Sequence, residues 1–530
     1  MSVSNEKCVE TGVIGAVKNP KNFGFSPAAS AEQNVIALQA ALSGGGLIII
    51  DTPGVYELNN TILLDSNTNI ICTHGVVFKK VAPYCNVLLN RGALTKEYNE
   101  NITIDGLEIS VNGYEEMPTI VYGLRAQLGF FYIRNLSIKN FVCLDGGPRQ
   151  FLIYIVTWEH LYIDKVRLAG DKDGIKLNNG HDAIISNLDL TTYDDGMSLC
   201  GTDYPSIVAE VGDVYNVCYS NVTDHQYKNI FGRTCLIYTG SWADYADGNE
   251  YRSGDFCLNE GKLYQCVNAP GFVPITSSAA PVHGSGIIAG ADAISWRYVQ
   301  DCDFYHTDVY NITFDNCIFE KSGNLLAVWI EGGCCHRNYY PGTEKLSNSW
   351  GIAITNCKMK ASAQQILVCV IGNMKDVIIS NCVLDNLEAV IRIDSSSFNE
   401  VLNASITGCS FKSTGNPLVA VHNGKKVVDW AMPFTQPGMP GYMAPETPAS
   451  DCNPVAQKDN PIIVNCHLSG NSYRDATFGC TVSDGAKLRF VNMDLPFNSL
   501  ENLTPEIGDI CRHVDGLFIY KSTGWVNMSA

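Results

Sequence analysis

Short alternations of apolar and polar residues recur along most of this chain, and each contains a turn-forming Asn, Gly, Asp or Lys. Ten such segments read NITIDGLEI, FYIRNLSI, LYIDKVRL, AIISNLDL, VCYSNVTD, ITFDNCIF, AITNCKMK, IISNCVLD, SITGCSFK and PIIVNCHL. The residue after the turn former is apolar or cysteine in all of them: Leu107, Leu136, Val166, Leu188, Val222, Cys317, Cys357, Cys382, Cys409 and Cys466. Alternation of this kind is typical of strands with one buried face.

The spacing of these segments indicates how the strands are connected. The first four intervals are 29, 30, 22 and 34 residues, and two later ones are 25 and 27. A β-solenoid keeps its interior pattern while it takes insertions in its turns, whereas unrelated strands of a sandwich would not keep one apolar column. We therefore predict an all-β parallel solenoid of roughly ten to twelve rungs between about residue 45 and about residue 495. The five cysteines are expected to stack as free thiols in one interior column.

The two ends and two interruptions define the other parts of the chain. Ala28 to Leu42 predicts a helix capped by Ser30. This start resembles that of the pectate-lyase-like right-handed β-helix proteins, in which a helix covers the open end of the coil. We predict an N-terminal segment with this capping helix at 1–44, β-helix at 45–241 and 300–496, a small inserted β module at 242–299, and a C-terminal hairpin at 497–530 that turns at Asp515-Gly516. A proline-rich loop at 427–461 is expected to lie against its own coil or a neighbouring subunit.

The inserted module resembles small carbohydrate-binding modules of the chitin-binding type and similar insertions in phage tail proteins. Its aromatic residues are Trp242, Tyr245, Tyr251, Tyr264 and Trp296. They either bind sugar or form the core of a unit that has little else to bury. Both alternatives stay open at this point.

Composition narrows the classes of function. The 530 residues carry a net charge of −18, which argues against a nucleic-acid partner because that would need a basic face. No apolar run is long enough for a membrane span, and the first residues do not have the pattern of a secretory signal. The 21 cysteines are expected to be reduced and buried rather than paired. Cys334-Cys335-His336 is a weak metal pattern, and a turn with buried thiols is the alternative.

Three aspartates carry the predicted chemistry. Asp194 and Asp195 follow Asp173 by 21 and 22 residues, which is the length of one rung. The three carboxylates are therefore expected to lie together on one outward face that lines a groove. Asp194 is expected to be exposed there rather than packed, so that Asp194→Asn would change stability little. Aspartate is also common in solenoid turns, where it caps backbone amides, and the same acids are compatible with a calcium site.

Spacing and residue type resemble the polygalacturonase-type glycoside hydrolases. The resemblance implies that Asp194 is the general acid and that Asp173 and Asp195 activate water in an inverting hydrolysis, with no metal or cofactor. The chain departs from the family where Asp171-Lys172 replaces Asn-Thr. Arg233 stands in the Gly-His position and Glu331 near the Arg-Ile-Lys position, which puts a galacturonate substrate in doubt. The predicted substrate-binding residues are Arg233, Tyr238, Trp242, Trp329 and Glu331, with the aromatic rings as stacking platforms.

The C-terminus, with Ile-Gly-Asp, an Asp-Gly turn and a Gly-Trp-Val ending, resembles those of many phage tail and appendage proteins. Together these features indicate a bacteriophage tailspike or tail-fibre protein that binds and hydrolyses host surface polysaccharide. Such a protein is expected to be a homotrimer in the virion, assembled in the host cytoplasm and joined to other tail proteins through its N-terminus. The alternatives are a non-catalytic receptor-binding or structural appendage, and an extracellular bacterial glycoside hydrolase or lyase.

Overall fold

Most of the chain is a right-handed parallel β-helix, and each rung passes through three parallel sheets. The computed structural model describes residues 17–112, 124–147, 150–202, 210–225, 227, 232–251, 255–267, 275–290, 292, 294–320, 326–332, 347–360, 365–371, 374–385, 387–393, 401–412, 414–421, 463–473, 477–482, 487–491, 500, 503–513 and 515–529. The proline-rich segment 427–461 and the Cys334-Cys335-His336 pattern lie outside these residues.

The strands of the first sheet are Gly46–Ile50, Thr68–Cys72, Asn99–Asp105, Ala126–Lys139, Phe151–Gly170, Ile175–Thr192, Val214–Asp224, Val309–Asp315, Ser349–Thr355, Asp376–Ser380, Val401–Thr407, Ile463–Ser469 and Lys487–Val491. The second sheet comprises Gly54–Leu58, Val76–Lys80, Glu108–Ser110, Val142–Gly146, the last parts of Phe151–Gly170, Ile175–Thr192 and Val214–Asp224, and Ile318–Phe319, Lys358–Met359, Val383–Asp385, Ser410–Lys412 and Ser472–Tyr473. The third comprises Ile62–Leu64, Leu88–Asn90, the first parts of Ala126–Lys139, Phe151–Gly170 and Ile175–Thr192, and Met197–Cys200, Cys235–Ser241, Leu326–Gly332, Gln365–Ile371, Leu387–Ile393, Thr414–Val421 and Thr477–Val482. The third sheet contains twelve strands among the described residues, which agrees with the prediction of roughly ten to twelve rungs.

Each rung bends at residues with a left-handed backbone, most of which are asparagines. Asparagine tolerates this conformation better than most residues, and its side chain can form a hydrogen bond with the asparagine at the same position on the neighbouring rung. Asn316 Nδ2 donates to Asn221 Oδ1 at 2.7 Å, and Asn221 Nδ2 donates to Asn187 Oδ1 at 3.2 Å. The residue after each corner points into the core.

The cysteine prediction is correct for four residues and wrong for the fifth. The four that stack on successive rungs are Cys317, Cys357, Cys382 and Cys409, all buried free thiols. Cys466 instead pairs with Ala404, which lies after a second corner of the rung. Leu136 also belongs to that second corner, where it pairs with Leu161. An asparagine precedes both Leu136 and Cys466, as one precedes most residues of the predicted column, so alignment on the turn former could not tell the two corners apart.

The predicted capping helix is present at Ala31–Leu42. Ser30 Oγ accepts from Gln33 N, and the Gln33 side chain accepts from Ser30 N, which completes a capping box. Leu38 and Leu42 are fully buried against the first rung. Short 3₁₀ helices lie at Pro20–Phe23 and Arg91–Leu94. None of the helices in the described residues is long and apolar enough to cross a membrane.

The inserted module joins the third sheet to the first sheet of the next rung. Its strands are Ala243–Asp244, Glu250–Tyr251, Phe256–Asn259, Lys262–Cys266, Ile275–Thr276, Ile287–Ala289 and Ser295–Asp301. After the module, His306–Thr307 pairs antiparallel with Cys235–Ser241 of the third sheet. Tyr251, Tyr264 and Trp296 are buried together, and Trp242 packs on Phe256. These rings therefore form the core of the module.

The C-terminal hairpin has the predicted turn, because His513 pairs with Gly516 across Asp515. Three antiparallel strands lie here, at Ile510–His513, Gly516–Lys521 and Gly524–Asn527.

Candidate functional site

Three successive connections between the second and third sheets bring the predicted aspartates together. These connections are residues 171–174, 193–196 and 225–234, the last described in part. Main-chain hydrogen bonds link each connection to the next, so equivalent positions are stacked. One oxygen from each carboxylate lies within 4.8 Å of the others, in the trio Asp173, Asp194 and Asp195. The rung-length spacing had indicated this arrangement.

The Lys172 ammonium occupies the space between two of these carboxylates. It donates to Asp194 Oδ2 and lies 3.1 Å from Asp173 Oδ1. Asp173 Oδ2 also accepts from Ser198 Oγ at 3.0 Å. Burial alone would lower the pKa of Lys172, but the charges of Asp173 and Asp194 outweigh it and raise that pKa above its usual range. Lys172 therefore carries a charge throughout the physiological pH range.

The third carboxylate belongs to a buried ion pair with Arg233. Arg233 Nε lies 2.9 Å from Asp195 Oδ1, and Nη2 donates to Oδ2 at 3.0 Å, which gives two-point contact. The guanidinium stacks 4.5 Å from the Trp329 ring. Burial raises the pKa of Asp195 to about 7 against the opposing charge of Arg233, and the Asp194 and Asp173 charges add to the rise.

The aspartates are buried, whereas the sequence analysis expected them to line an open groove. Asp173 and Asp195 are each 2% exposed, and Asp194 is 8% exposed. The side chains that reach solvent are those of Asp194, at 12%, and Lys172, at 17%.

Two tyrosines lie beside the partly exposed side chains of Asp194 and Lys172, which together form the opening of the cluster. Tyr193 precedes Asp194, and its ring lies 6.2 Å from that of Tyr227 in an edge-to-face arrangement. Tyr227 donates to Asp171, and both rings are half-buried. The mouth of the cluster thus combines carboxylates, one ammonium and two aromatic surfaces, a combination that suits a hydroxyl-rich ligand.

The predicted stacking platforms are buried in the structure. Tyr238 is 1% exposed, Trp329 is 2% exposed, and Trp242 is fully enclosed by the inserted module, where its Nε1 donates to Phe304 O. Arg233 faces Asp195 and Trp329 and does not reach solvent. Glu331 lies on the strand Leu326–Gly332, but its side chain is outside the described residues. The geometry does not support sugar stacking on these rings.

The three aspartates are close enough to share one divalent cation. In this structure their partners are organic cations, since Lys172 contacts two carboxylates and Arg233 binds both oxygens of the third. A metal would have to displace Lys172 to bind all three.

Sequence reasoning missed Lys172, Tyr193 and Tyr227. Lys172 could have been found, because it lies 22 residues before Asp194 and so occupies the same position one rung earlier. Tyr193 is adjacent to Asp194, but nothing in its sequence context distinguishes it from a surface aromatic. Tyr227 lies in a longer connection whose path the repeat does not determine.

Gly232 allows the third connection to pass directly over Asp194. A Cβ at this position would lie 2.0 Å from the Asp194 carbonyl carbon and 2.3 Å from its oxygen. We expect Gly232→Ala to lower the free energy of unfolding by about 1–3 kcal/mol or more, since backbone would have to move. Chemical denaturation measures this. Gly284→Ala is the matched control because only the end of the Lys262 side chain comes within 4 Å. Equal stability of the two variants would contradict the close approach.

The Asp195 carboxyl should make stability depend on pH. Its pKa rises from 3.8 to about 7 on folding, so the folded chain binds this proton more tightly. The stabilisation is complete below the unfolded value and is lost as the pH rises through about 7. Melting temperatures of wild type and Asp195→Asn, measured between about pH 4 and pH 8, should diverge, with the wild type falling more steeply. Parallel curves would show that Asp195 does not titrate in this range.

The comparisons with known proteins support the fold. No family model and no curated protein sequence matches the chain. The catalytic unit of a family 87 α-1,3-glucanase from Streptomyces thermodiastaticus is similar in structure, with a TM-score of 0.52 and 9% identity over 93% of this chain and 70% of that one. A variant tailspike protein of Escherichia coli bacteriophage HK620, in complex with a pentasaccharide, has a TM-score of 0.48 and 11% identity over 92% and 77%. A family 28 exopolygalacturonase of Yersinia enterocolitica has a TM-score of 0.36 and 11% identity over 77% and 75%.

The structural neighbours thus include phage tailspikes and β-helix glycoside hydrolases, as the sequence resemblance suggested. At these identities the likeness establishes the β-helix fold alone.

Proposed function

We propose that this protein is a phage tailspike or tail-fibre protein that binds host surface polysaccharide and hydrolyses it at the aspartate cluster. The observation that carries the proposal is the convergence of three carboxylates from adjacent rungs, of which Asp194 alone reaches solvent appreciably. Tyr193 and Tyr227 beside it provide aromatic surface for a sugar ring. Turn aspartates with a purely local role would not need to meet in this way.

Glycoside hydrolysis needs one ionised and one protonated carboxyl group. Contact with the Lys172 ammonium favours the ionised form of Asp194, whereas burial raises the pKa of Asp195 to about 7. We therefore assign Asp194 as the carboxylate that faces the sugar and Asp195 as the group that holds the proton below about pH 7. Above that pH, Asp195 is the ionised partner of Arg233. This assignment reverses the roles implied by the polygalacturonase resemblance. Because Asp195 is buried, its proton would reach the glycosidic oxygen through a water molecule.

The stronger bases at this site, Lys172 and Tyr227, do not favour elimination by a lyase. A lyase needs a base that is unprotonated near neutral pH. The Asp173 and Asp194 charges raise the pKa of Lys172 despite burial, and burial raises the pKa of Tyr227 to about 12. Neither group is therefore ready to accept a proton from a substrate carbon.

A second candidate function is a non-catalytic receptor-binding or structural appendage. One observation favours it: both oxygens of Asp195 are bound by a buried Arg233, so this carboxyl group is not directly accessible. In this case the cluster would be a charge network that fixes three turns. An extracellular bacterial glycoside hydrolase remains a third alternative for the same chemistry.

As a tailspike, the protein would be a homotrimer in the virion, joined to other tail proteins through its N-terminus. An elongated solenoid with copies side by side suits a closed cyclic assembly. Light scattering that returned a monomer over a wide concentration range would favour the extracellular enzyme instead.

The proposed activity is tested by incubating the purified protein with a panel of bacterial capsular and O-antigen polysaccharides. We expect one class of polymer to bind and to yield new reducing ends. Binding to cells without cleavage of their purified polysaccharide would favour the non-catalytic appendage. Cleavage with appearance of ultraviolet-absorbing unsaturated ends would identify a lyase.

A further inference from the structure

The ammonium of Lys172 has the position of a bound cation. It contacts Asp194 Oδ2 and Asp173 Oδ1, while Arg233 neutralises the remaining carboxylate of the cluster. The side chain of Lys172 is 17% exposed and that of Asp173 is 4% exposed, so little water separates these charges. Three carboxylates this close could not all stay ionised without a positive charge among them.

The three carboxylates are also close enough to share one divalent cation. One oxygen from each of the three acids lies within 4.8 Å of the other two, and carboxylate oxygens are the ligands that Ca²⁺ prefers. Lys172 supplies a positive charge to this group without an ion from solution. Its ammonium also lies 5.4 Å from the centre of the Phe151 ring, a cation–π contact that helps to hold it in place.

The β-helix brings this ammonium to the cluster by its register. Lys172 immediately precedes Asp173, and it is 22 residues before Asp194, so it occupies the equivalent position on the preceding rung. A single substitution at this position would remove the charge and leave the carboxylates where the backbone holds them.

We propose that Lys172 is a built-in cation, a positioning residue that takes the place of a divalent metal ion and holds Asp173 and Asp194 together. A role of Lys172 in cleavage rests on the proposed function. Its role as the positive charge of the cluster does not. It implies that the wild-type protein needs no metal and that the loss of Lys172 creates a metal requirement.

Calcium binding to Lys172→Met, measured by titration calorimetry, tests the inference without any polysaccharide. We expect Lys172→Met to bind one Ca²⁺ per chain at least about tenfold more tightly than the wild type does at this cluster, and to melt at a higher temperature in calcium. Lys172→Arg keeps the charge and is expected to behave as the wild type. The double variant Lys172→Met/Asp194→Asn should lose the tight calcium site, which assigns the ion to the cluster.

Two results would overturn the inference. One is tight calcium binding by the wild type that disappears in Asp194→Asn, because Lys172 would then not occupy the cation position. The other is a Lys172→Met protein that calcium neither binds nor stabilises, including one that folds poorly with or without calcium while Lys172→Arg folds normally. Failure of all polysaccharides to be cleaved would count against the proposed function and would leave the calcium result unaffected.

Discussion

At about pH 8, where Asp195 is ionised, Arg233→Met is expected to lower the free energy of unfolding by about 3–5 kcal/mol, because removal of one member of a buried ion pair leaves an uncompensated charge. Arg233 and Asp195 are each about 2% exposed, and two contacts of 2.9 and 3.0 Å join them. Methionine fills much of the same volume beside Trp329, so lost packing contributes little to the expected change. Most of the expected loss of stability would come from the unpaired charge of Asp195.

Chemical denaturation with a matched surface variant measures this effect. Arg167 also forms an ion pair, at 3.4 Å from Asp189, but its side chain is 58% exposed. Arg167→Met should therefore change stability by no more than about 0.5–1 kcal/mol. Similar losses for Arg233→Met and Arg167→Met would mean that the Asp195–Arg233 pair is solvated and that the cluster is more open than described.

Asp194→Asn is expected to lower turnover of a cleaved polysaccharide by about two or more orders of magnitude while polysaccharide binding is largely kept. Asparagine has the shape of aspartate but cannot carry the charge that hydrolysis needs at the reacting carbon. The substitution also removes a carboxylate from Lys172, so a modest loss of stability is expected. This differs from the expectation for an Asp194 exposed in a groove, for which the substitution would change stability little.

Reducing ends released at saturating polysaccharide measure turnover, and a pull-down with the same polymer measures binding. Asp189→Asn is the control. Asp189 lies in the strand just before residues 193–196, the connection that carries Asp194, and its side chain is 46% exposed. Full activity of Asp194→Asn would show that Asp194 is a turn residue. Equal losses in both variants would point to a general effect on the fold.

The fold could be predicted from the sequence because every rung of a solenoid needs an apolar residue at the same interior position. Each rung buries the residue after a left-handed corner, and that position stays apolar wherever the insertions fall. The position of Cys466 could not be predicted, because an asparagine precedes it just as one precedes Cys317, Cys357 and Cys382 in the other column. Only the pairing of complete strands distinguishes the two columns.

The sequence predicted which aspartates meet at the candidate site, but it did not predict that they are buried. Rung-length spacing is a property of the sequence, and it brought Asp173, Asp194 and Asp195 together. Burial depends on the conformation of neighbouring connections, such as the close passage of Gly232 over Asp194. No periodicity in the sequence reports that contact.

The prediction that aromatic side chains form stacking platforms was wrong for a related reason. Alternation shows that Tyr238 and Trp329 point away from the solenoid interior, but it does not show whether the outer face of the third sheet is covered. Both rings are buried. Trp242 was expected to face the same ligand, yet it lies in the core of the inserted module.

The most direct test is a crystal structure of the protein with an oligosaccharide from a polysaccharide that it binds. We predict a sugar ring against Tyr193 or Tyr227, with the glycosidic oxygen beside the opening formed by Asp194 and Lys172. An oligosaccharide bound elsewhere on the β-helix or on the inserted module, with this opening unoccupied, would contradict the assignment of the aspartate cluster as the active site.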